Sequence, residues 1–337
     1  MSAPSLTTPT ARDLVADRIR IGKPDICGPL AVFPLFGPEP ELDYVSFAQA
    51  AGLGVTVKEL DGGASVNDLL VLNPTDKNVL LYEGEEVLGA QQNRTFDVSI
   101  LVAAGTRLRV PVSCVEHGRW DGARHNESFA PAPQAAYPEL RRMKNRQARA
   151  AAAAGLEARA EQGAVWAEIA GKSARLATHS PTQAMHDIYE SRRDRLGDFR
   201  NAVHLHGDQI GALACLAGRP TVIDYVSRPE VFAALHGPLV QGYALDALET
   251  PGTLAEPNHD AAQALLDAAL GARTSERDGI GLGRVIQFSG RGVGGTGLVV
   301  DRELVQLTAF AEDGDDQPVP GPMLRSRIRR PSRRRAA

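Results

Sequence analysis

Residues 78–120 read NVLLYEGEEVLGAQQNRTFDVSILVAAGTRLRVPVSCVEHGRW. Apolar runs of strand length alternate here with short polar or glycine-containing breaks. Asn78–Tyr82, Phe96–Val102 and Thr106–Ser113 are three such runs, and Ala104-Gly105 between the last two predicts a hairpin. Upstream, Leu30–Phe36 is closed by Gly37-Pro38, and Val55–Leu60 alternates up to the turn signal Asp61-Gly62-Gly63. Asp68–Leu72 is joined to Asn78–Tyr82 by Asn73-Pro74-Thr75-Asp76, a second expected hairpin loop. Short strands at this spacing predict a sandwich or barrel-like lobe.

The pattern changes after Phe129. Ala130–Pro138 is Pro/Ala-rich and reads as a linker, and Glu139–Glu161 as a solvated, Arg/Ala-rich helix. Ala164–Leu176 has apolar residues at helical spacing, and Ser180-Pro181 reads as the cap and first turn of a helix running towards Leu196. Ile210–Cys215 and Thr221–Val226 pair across Gly218-Arg219. Pro229–Leu248 and His259–Leu270 read as helices, and Val285–Phe288, Leu298–Val300 and Leu304–Phe310 as strands. The fold class is α+β, with an N-terminal antiparallel β-rich lobe followed by a mixed helix/hairpin lobe. The expected divisions are a disordered lead-in (1–19), the β-rich lobe (20–129), the α+β lobe (130–315, or one continuous domain with the first) and a disordered Arg-rich tail (316–337).

The 337 residues suffice for one large domain or two lobes, and an apolar share of 43% allows a sizeable core. Neither a signal-peptide pattern nor an apolar run near the ~20 residues that span a bilayer is present, so a cytoplasmic protein without membrane contact is expected. Cys27, Cys114 and Cys215 are odd in number and far apart, which fits a reducing compartment rather than a disulfide framework. The net charge is −4, but residues 325–335 carry seven arginines and no acid, leaving −11 on residues 1–324. An acidic body argues against a nucleic-acid partner. The tail reads as a solvated end or as a dock for a protein partner.

The candidate site lies between Glu83 and Trp120. Glu83-Gly84-Glu85-Glu86 sets three carboxylates around a glycine at a strand end, and Gln91-Gln92-Asn93-Arg94 sets three amides beside a guanidinium. Such groups between apolar strands are costly to bury unless paired. Either they interlock, or they present donors and acceptors to a ligand, with arginine suited to phosphate or carboxylate. Cys114 falls on one face with Val110 and Val112 and reads as a buried small residue, with an activated thiolate near His117 and Arg119 as the alternative.

Other patterns carry less. Gly292, Gly294 and Gly297 fit G-x-G-x-x-G, but the strand Leu298-Val299-Val300 follows where a helix is needed. Gly171-Lys172-Ser173 resembles the end of a phosphate loop, yet Trp166 stands where its first glycine belongs. His204 and His206 read as a surface pair, and Ser180, His186 and Asp187 as a cap with polar neighbours. No cofactor motif or metal-ligand set is read.

EGEEVLGAQQNR followed by SILVAAGTRLRVPVSCVEHGRW resembles the signature of the ARG and rhodanese-phosphatase-superfamily-associated protein domain family. QGAVWAEIAGKSARL, SPTQAMHDIYE, IDYVSRPEVFAALHGPLVQGYALDAL and GTGLVVDRELVQLTAF follow in order. The resemblance spans about residues 25–312. It implies a link to ADP-ribose or NAD metabolism, without a settled reaction. Family members carry His in the last strand motif, where this chain has Gln306-Leu307. Three readings follow. In the first, the protein binds or hydrolyses a nucleotide-like metabolite: Glu83, Glu86 and Glu116 supply catalytic carboxylates, Glu85 stands beside them, and Gln92, Asn93, Arg94, His117 and Arg119 hold the ligand. In the second, the polar run is the internal network of a non-enzymatic scaffold. In the third, Cys114 is a nucleophile.

Overall fold

The computed structural model describes residues 10–15, 19–38, 40–250, 256–290 and 292–312; the expected Arg-rich tail lies outside these. The chain begins with α1 (Ala11–Val15), β1 (Arg20–Ile21), β2 (Asp25–Cys27), β3 (Leu30–Phe36), β4 (Tyr44–Ser46) and α2 (Phe47–Ala51). Next come β5 (Thr56–Lys58), β6 (Asp68–Asn73), β7 (Asn78–Leu81), β8 (Glu85–Leu88), β9 (Arg94–Phe96), β10 (Ile100–Val102), β11 (Thr106–Cys114) and β12 (Ser128–Ala135). Four helices follow: α3 (Pro138–Ala153), α4 (Gln162–Arg175), α5 (Met185–Glu190) and α6 (Arg193–Ala202). The hairpin β13 (Gly211–Leu216) and β14 (Arg219–Val226) precedes α7 (Pro229–Ala247) and α8 (His259–Gly271). The chain closes with β15 (Thr274–Asp278), β16 (Arg284–Gly290), β17 (Val293–Val300) and β18 (Glu303–Ala311).

These strands build the α+β fold in three parts. β11-β6-β5-β12-β8-β9 close a barrel, and β10-β7-β4 form a small sheet. A nine-stranded sheet runs β1-β3-β13-β14-β18-β17-β16-β15, with β2 on β3. Pairing therefore crosses the boundary expected at residue 129: residues 20–36 join the C-terminal sheet, and β12 is a barrel strand where a linker was expected. Within the lead-in expected to be disordered, α1 buries Ala11 and Val15, four residues apart on one helical face.

Two expected hairpins are corrected. β6 pairs with β11 and β5, whereas β7 pairs with β10 and β4. The Asn73 side chain turns the chain between them: its Oδ1 accepts from Thr75 N and its Nδ2 donates to Lys77 O and Ala103 O. That Asx-type turn redirects the strand instead of folding it back. Likewise β10 pairs with β7, and β11 with β6 and β9, so Ala104-Gly105 connects different sheets.

Strand alternation sorts the core. Along β3, Leu30 and Val32 enter the layer beneath the helices, while Ala31, Phe33 and Leu35 face α1 and α8 on the other side. On β14 the same period puts Asp224 in phase with Val222 and Val226, facing α3. The barrel interior is apolar, and Phe47 of α2 meets Phe96 edge-on at 6.2 Å between ring centres. Ser46 holds α2 in place through a capping box with Gln49.

The expectation that α3 is a solvated helix is overturned. Arg141 and Lys144 are fully buried, with Ala148 on the same face. Arg141 Nη2 lies 2.6 Å from Glu83 Oε1 and 2.5 Å from Asp224 Oδ1, bridging the barrel to the large sheet. Tyr82 Oη and Tyr243 Oη donate to the same aspartate at 2.6 and 2.5 Å. Desolvation works against the Arg141 charge, but Asp224 and Glu83 hold the guanidinium protonated well above its usual range. A Cβ on Gly84 would stand 2.7 Å from Arg141 Cδ and Nε, and its φ of +85° already favours glycine. Lys144 Nζ reaches Asp97 at 3.0 Å and the Phe96 carbonyl at 3.1 Å. Removing Arg141 strands two buried acids. Arg141→Ala should cost about 3–5 kcal/mol in urea unfolding, far more than truncating an exposed arginine such as Arg107.

Candidate functional site

The sequence-predicted residues do not meet in one pocket. Glu83 belongs to the Arg141 bridge, and Glu85 accepts from its own loop at Tyr82 N, 2.7 Å away. Gln134 Nε2 donates to Glu86 Oε2 at 2.7 Å and lies 2.8 Å from His186 Nδ1; Glu86 Oε1 is buried without a partner. Burial pushes both Glu85 and Glu86 up to about 8.

Gln92, Asn93, Glu116 and Arg119 form a closed knot. After β11 the chain runs between the 90–93 loop and residues 182–185: Val115 N donates to Asn93 O, Met185 N to Val115 O and Gly118 N to Thr182 O. Glu116 accepts from Arg119 Nε at 2.8 Å, Asn93 N at 3.1 Å and Thr182 Oγ1 at 2.9 Å. Burial opposes its charge, but these donors outweigh it and hold the carboxyl below its usual range. Arg119 also binds Asn93 Oδ1 and the carbonyl of Ala90, a residue held at φ +40°. A non-glycine residue in that region is strained, and here the Arg119 bond fixes it. His117 is exposed, bonded to Gln183 Oε1 and stacked near Trp166.

Cys114 is fully buried; its thiol donates to Gln92 Oε1, and Gln162 brackets its backbone N and O. Desolvation raises the thiol's pKa, with Arg94 only partly offsetting it. This is a packed small residue rather than an activated nucleophile. A thiol-reactive probe should label Cys114 in the folded protein more slowly than free cysteine, and at ordinary rates after denaturation.

Arg94 stands apart from the knot. Its side chain and that of Glu59 are both fully buried, 3.9 Å apart, at the barrel end where β5 and β9 finish and begin. Neither Glu59 oxygen closes a hydrogen bond, and Arg94 Nε and Gln91 Oε1 also lack partners. Burial raises Glu59 and lowers Arg94, so the site disfavours both charges. Gln91 Nε2 reaches the half-buried His125 Nδ1 at 3.0 Å. The Trp120 ring, 50% exposed, lies over Arg94 at 5.8 Å. Three acceptors and one donor are thus unspent beside the exposed Trp120 ring.

Sequence reasoning missed Glu59 and gave Trp120 only as the boundary of the candidate stretch, although a signal for Glu59 existed. The alternation that buries Val55 and Val57 carries Glu59 onto the same face.

The weaker patterns resolve locally. Lys172 lies in α4 with its ammonium among Glu139, Asp246 and Glu249, three acids close enough to one another to hold a metal ion. Ser180 Oγ donates to Asp187 while accepting from Ala184 N, and His186 turns to Gln134. α5 therefore starts at Met185, later than expected. His206 Nε2 meets Asp25 at 3.1 Å. Gly294, Gly295 and Gly297 are strand residues of β17. Gln306 is buried in the sheet core and donates to Thr308 Oγ1. Among the described residues no helix is long and apolar enough to cross a membrane.

With barrel, bridge and knot located, the chain can be placed: residues 18–310 match the ARG and Rhodanese-Phosphatase-superfamily-associated Protein domain, and the protein belongs to that family. Neither a curated protein nor a solved structure matches it.

The pH dependence follows from Glu85 and Glu86. Both ionise near 4.5 when unfolded and near 8 when folded, so between those values the native state holds the extra protons. Stability should fall as pH rises through this window and level off above it. Glu86→Gln should flatten that slope by at most about 1.4 kcal/mol per pH unit, measured by urea titration from pH 5 to 8.

Proposed function

We propose that the protein binds a small nucleotide-like metabolite of the ADP-ribose/NAD class at the barrel end, where Glu59, Arg94 and Gln91 lie under Trp120. The observation that carries this reading is the set of buried polar atoms left without partners beside a half-exposed tryptophan. A carboxylate with two open acceptors next to a guanidinium N–H complements a ring or amide edge that offers N–H beside a carbonyl or ring nitrogen. The nicotinamide carboxamide and the adenine edge both have that pattern, and an indole face stacks on either ring. Entry requires Trp120 to lift from Arg94, because the groups beneath are closed off.

The closed knot favours a structural role for the other expected residues. Gln92, Asn93, Glu116 and Arg119 fix the 90–93 loop and so the direction of Arg94, while Glu83 holds the two sheet systems together. These are positioning and scaffold duties rather than catalytic ones.

Calorimetry with ADP-ribose and with NAD tests the reading. Binding to wild type is expected, weakened about tenfold or more by Glu59→Gln, since hydrogen bonds to a charged group contribute about 1.5–3 kcal/mol. Ligand-dependent tryptophan fluorescence should vanish in Trp120→Phe. No heat with either ligand, or equal affinity in both variants, sinks it.

A further inference from the structure

A cleft lies elsewhere, at the outer end of α3. Its volume is about 450 Å³, and it is lined by Arg146 and Arg149 of α3, Arg273 and Ser275 at the start of β15, Gln287 of β16, and Glu312. That volume lies within the range of small-molecule sites. Arg149 and Arg273 come to the cleft from two distant parts of the chain, and Glu312 is the one acid among its described lining residues, on a body whose first 324 residues carry −11.

Glu312 is already taken. Arg149 Nη2 is paired with Glu312, its Nε donates to Asn145 Oδ1 at 2.9 Å and its Nη1 to the Phe288 carbonyl at 3.2 Å. Arg149 is therefore a fixed wall. Gln287 Nε2 is buried on the cleft side of the sheet with no acceptor. Arg273 is exposed and makes no hydrogen bond or ion pair among the described residues. A fork of guanidinium donors, an unspent amide N–H and serine hydroxyls are the groups that hold phosphate oxygens.

We propose that this cleft is a second binding site, for a small multiply charged phosphate or diphosphate group, separate from the barrel-end site. Glu312 limits its affinity by occupying Arg149. Arg273 and Gln287 contact the anion.

Titration of the full chain with inorganic pyrophosphate at low and high salt tests this. Arg273→Ala should weaken binding about tenfold, the loss of one charge-assisted contact. Glu312→Gln should tighten it, because it frees Arg149; a shift in this direction cannot arise from misfolding. Added salt should weaken binding in every form, and Trp120→Phe should leave it unchanged. The proposal is overturned by absent binding, by equal affinity in Arg273→Ala and Glu312→Gln, or by loss in Trp120→Phe.

Discussion

A buried guanidinium between two carboxylates organises the molecule. Arg141 enters from α3 with no water to solvate it, and Glu83 from the barrel and Asp224 from the large sheet supply its counter-charges. Two layers that share little backbone pairing are thereby tied by a contact that is far weaker if either layer is displaced. The desolvation cost of burying three charged groups is offset only when the geometry is complete, aided here by Tyr82 and Tyr243. Lys144, one turn on, repeats the arrangement with Asp97. Further along, α3 turns outward, and Arg146 and Arg149 leave the core for the cleft. One helix thus carries the electrostatics of both the interior and the basic surface.

The polar stretch 83–120 divides by task. One part is complete in itself: Glu116, Arg119 and Asn93 satisfy one another and hold the loop at Ala90. The other is incomplete: Glu59 and Arg94 face each other across a gap too wide for a hydrogen bond. Incomplete pairing of buried polar groups is where a ligand can contribute most, because each bond it makes relieves an existing desolvation cost.

Much of this was legible beforehand. Strand-length apolar runs foretold the strands and the α+β class, and the colinear motifs foretold the family. Pairing was not legible, because Asn73-Pro74-Thr75-Asp76 and Ala104-Gly105 have hairpin composition yet connect strands whose partners come from elsewhere. Arg141 and Lys144 were misread as solvated because a helix with cations on its buried face looks polar all round until the acids that meet it are known. The partners Glu83, Asp97 and Asp224 are remote in sequence. Glu59 was readable from its phase with Val55 and Val57, but the Trp120 ring over Arg94 was not, since nothing local links the two.

The pairing of β3 bears on how the chain must be made. Its neighbours are β1 and β2 on one side and β13 on the other, and β13 leaves a ribosome long after β3 has emerged. Until then an apolar strand, Leu30–Phe36, has an unsatisfied edge, and α1 lacks α8 to rest on. The large sheet cannot be completed vectorially, whereas all six barrel strands are available once residue 135 is out. Synthesis therefore favours a barrel-first order. Until β13 emerges the N-terminal strands keep an unpaired edge, a long-range topology of the kind that folds slowly.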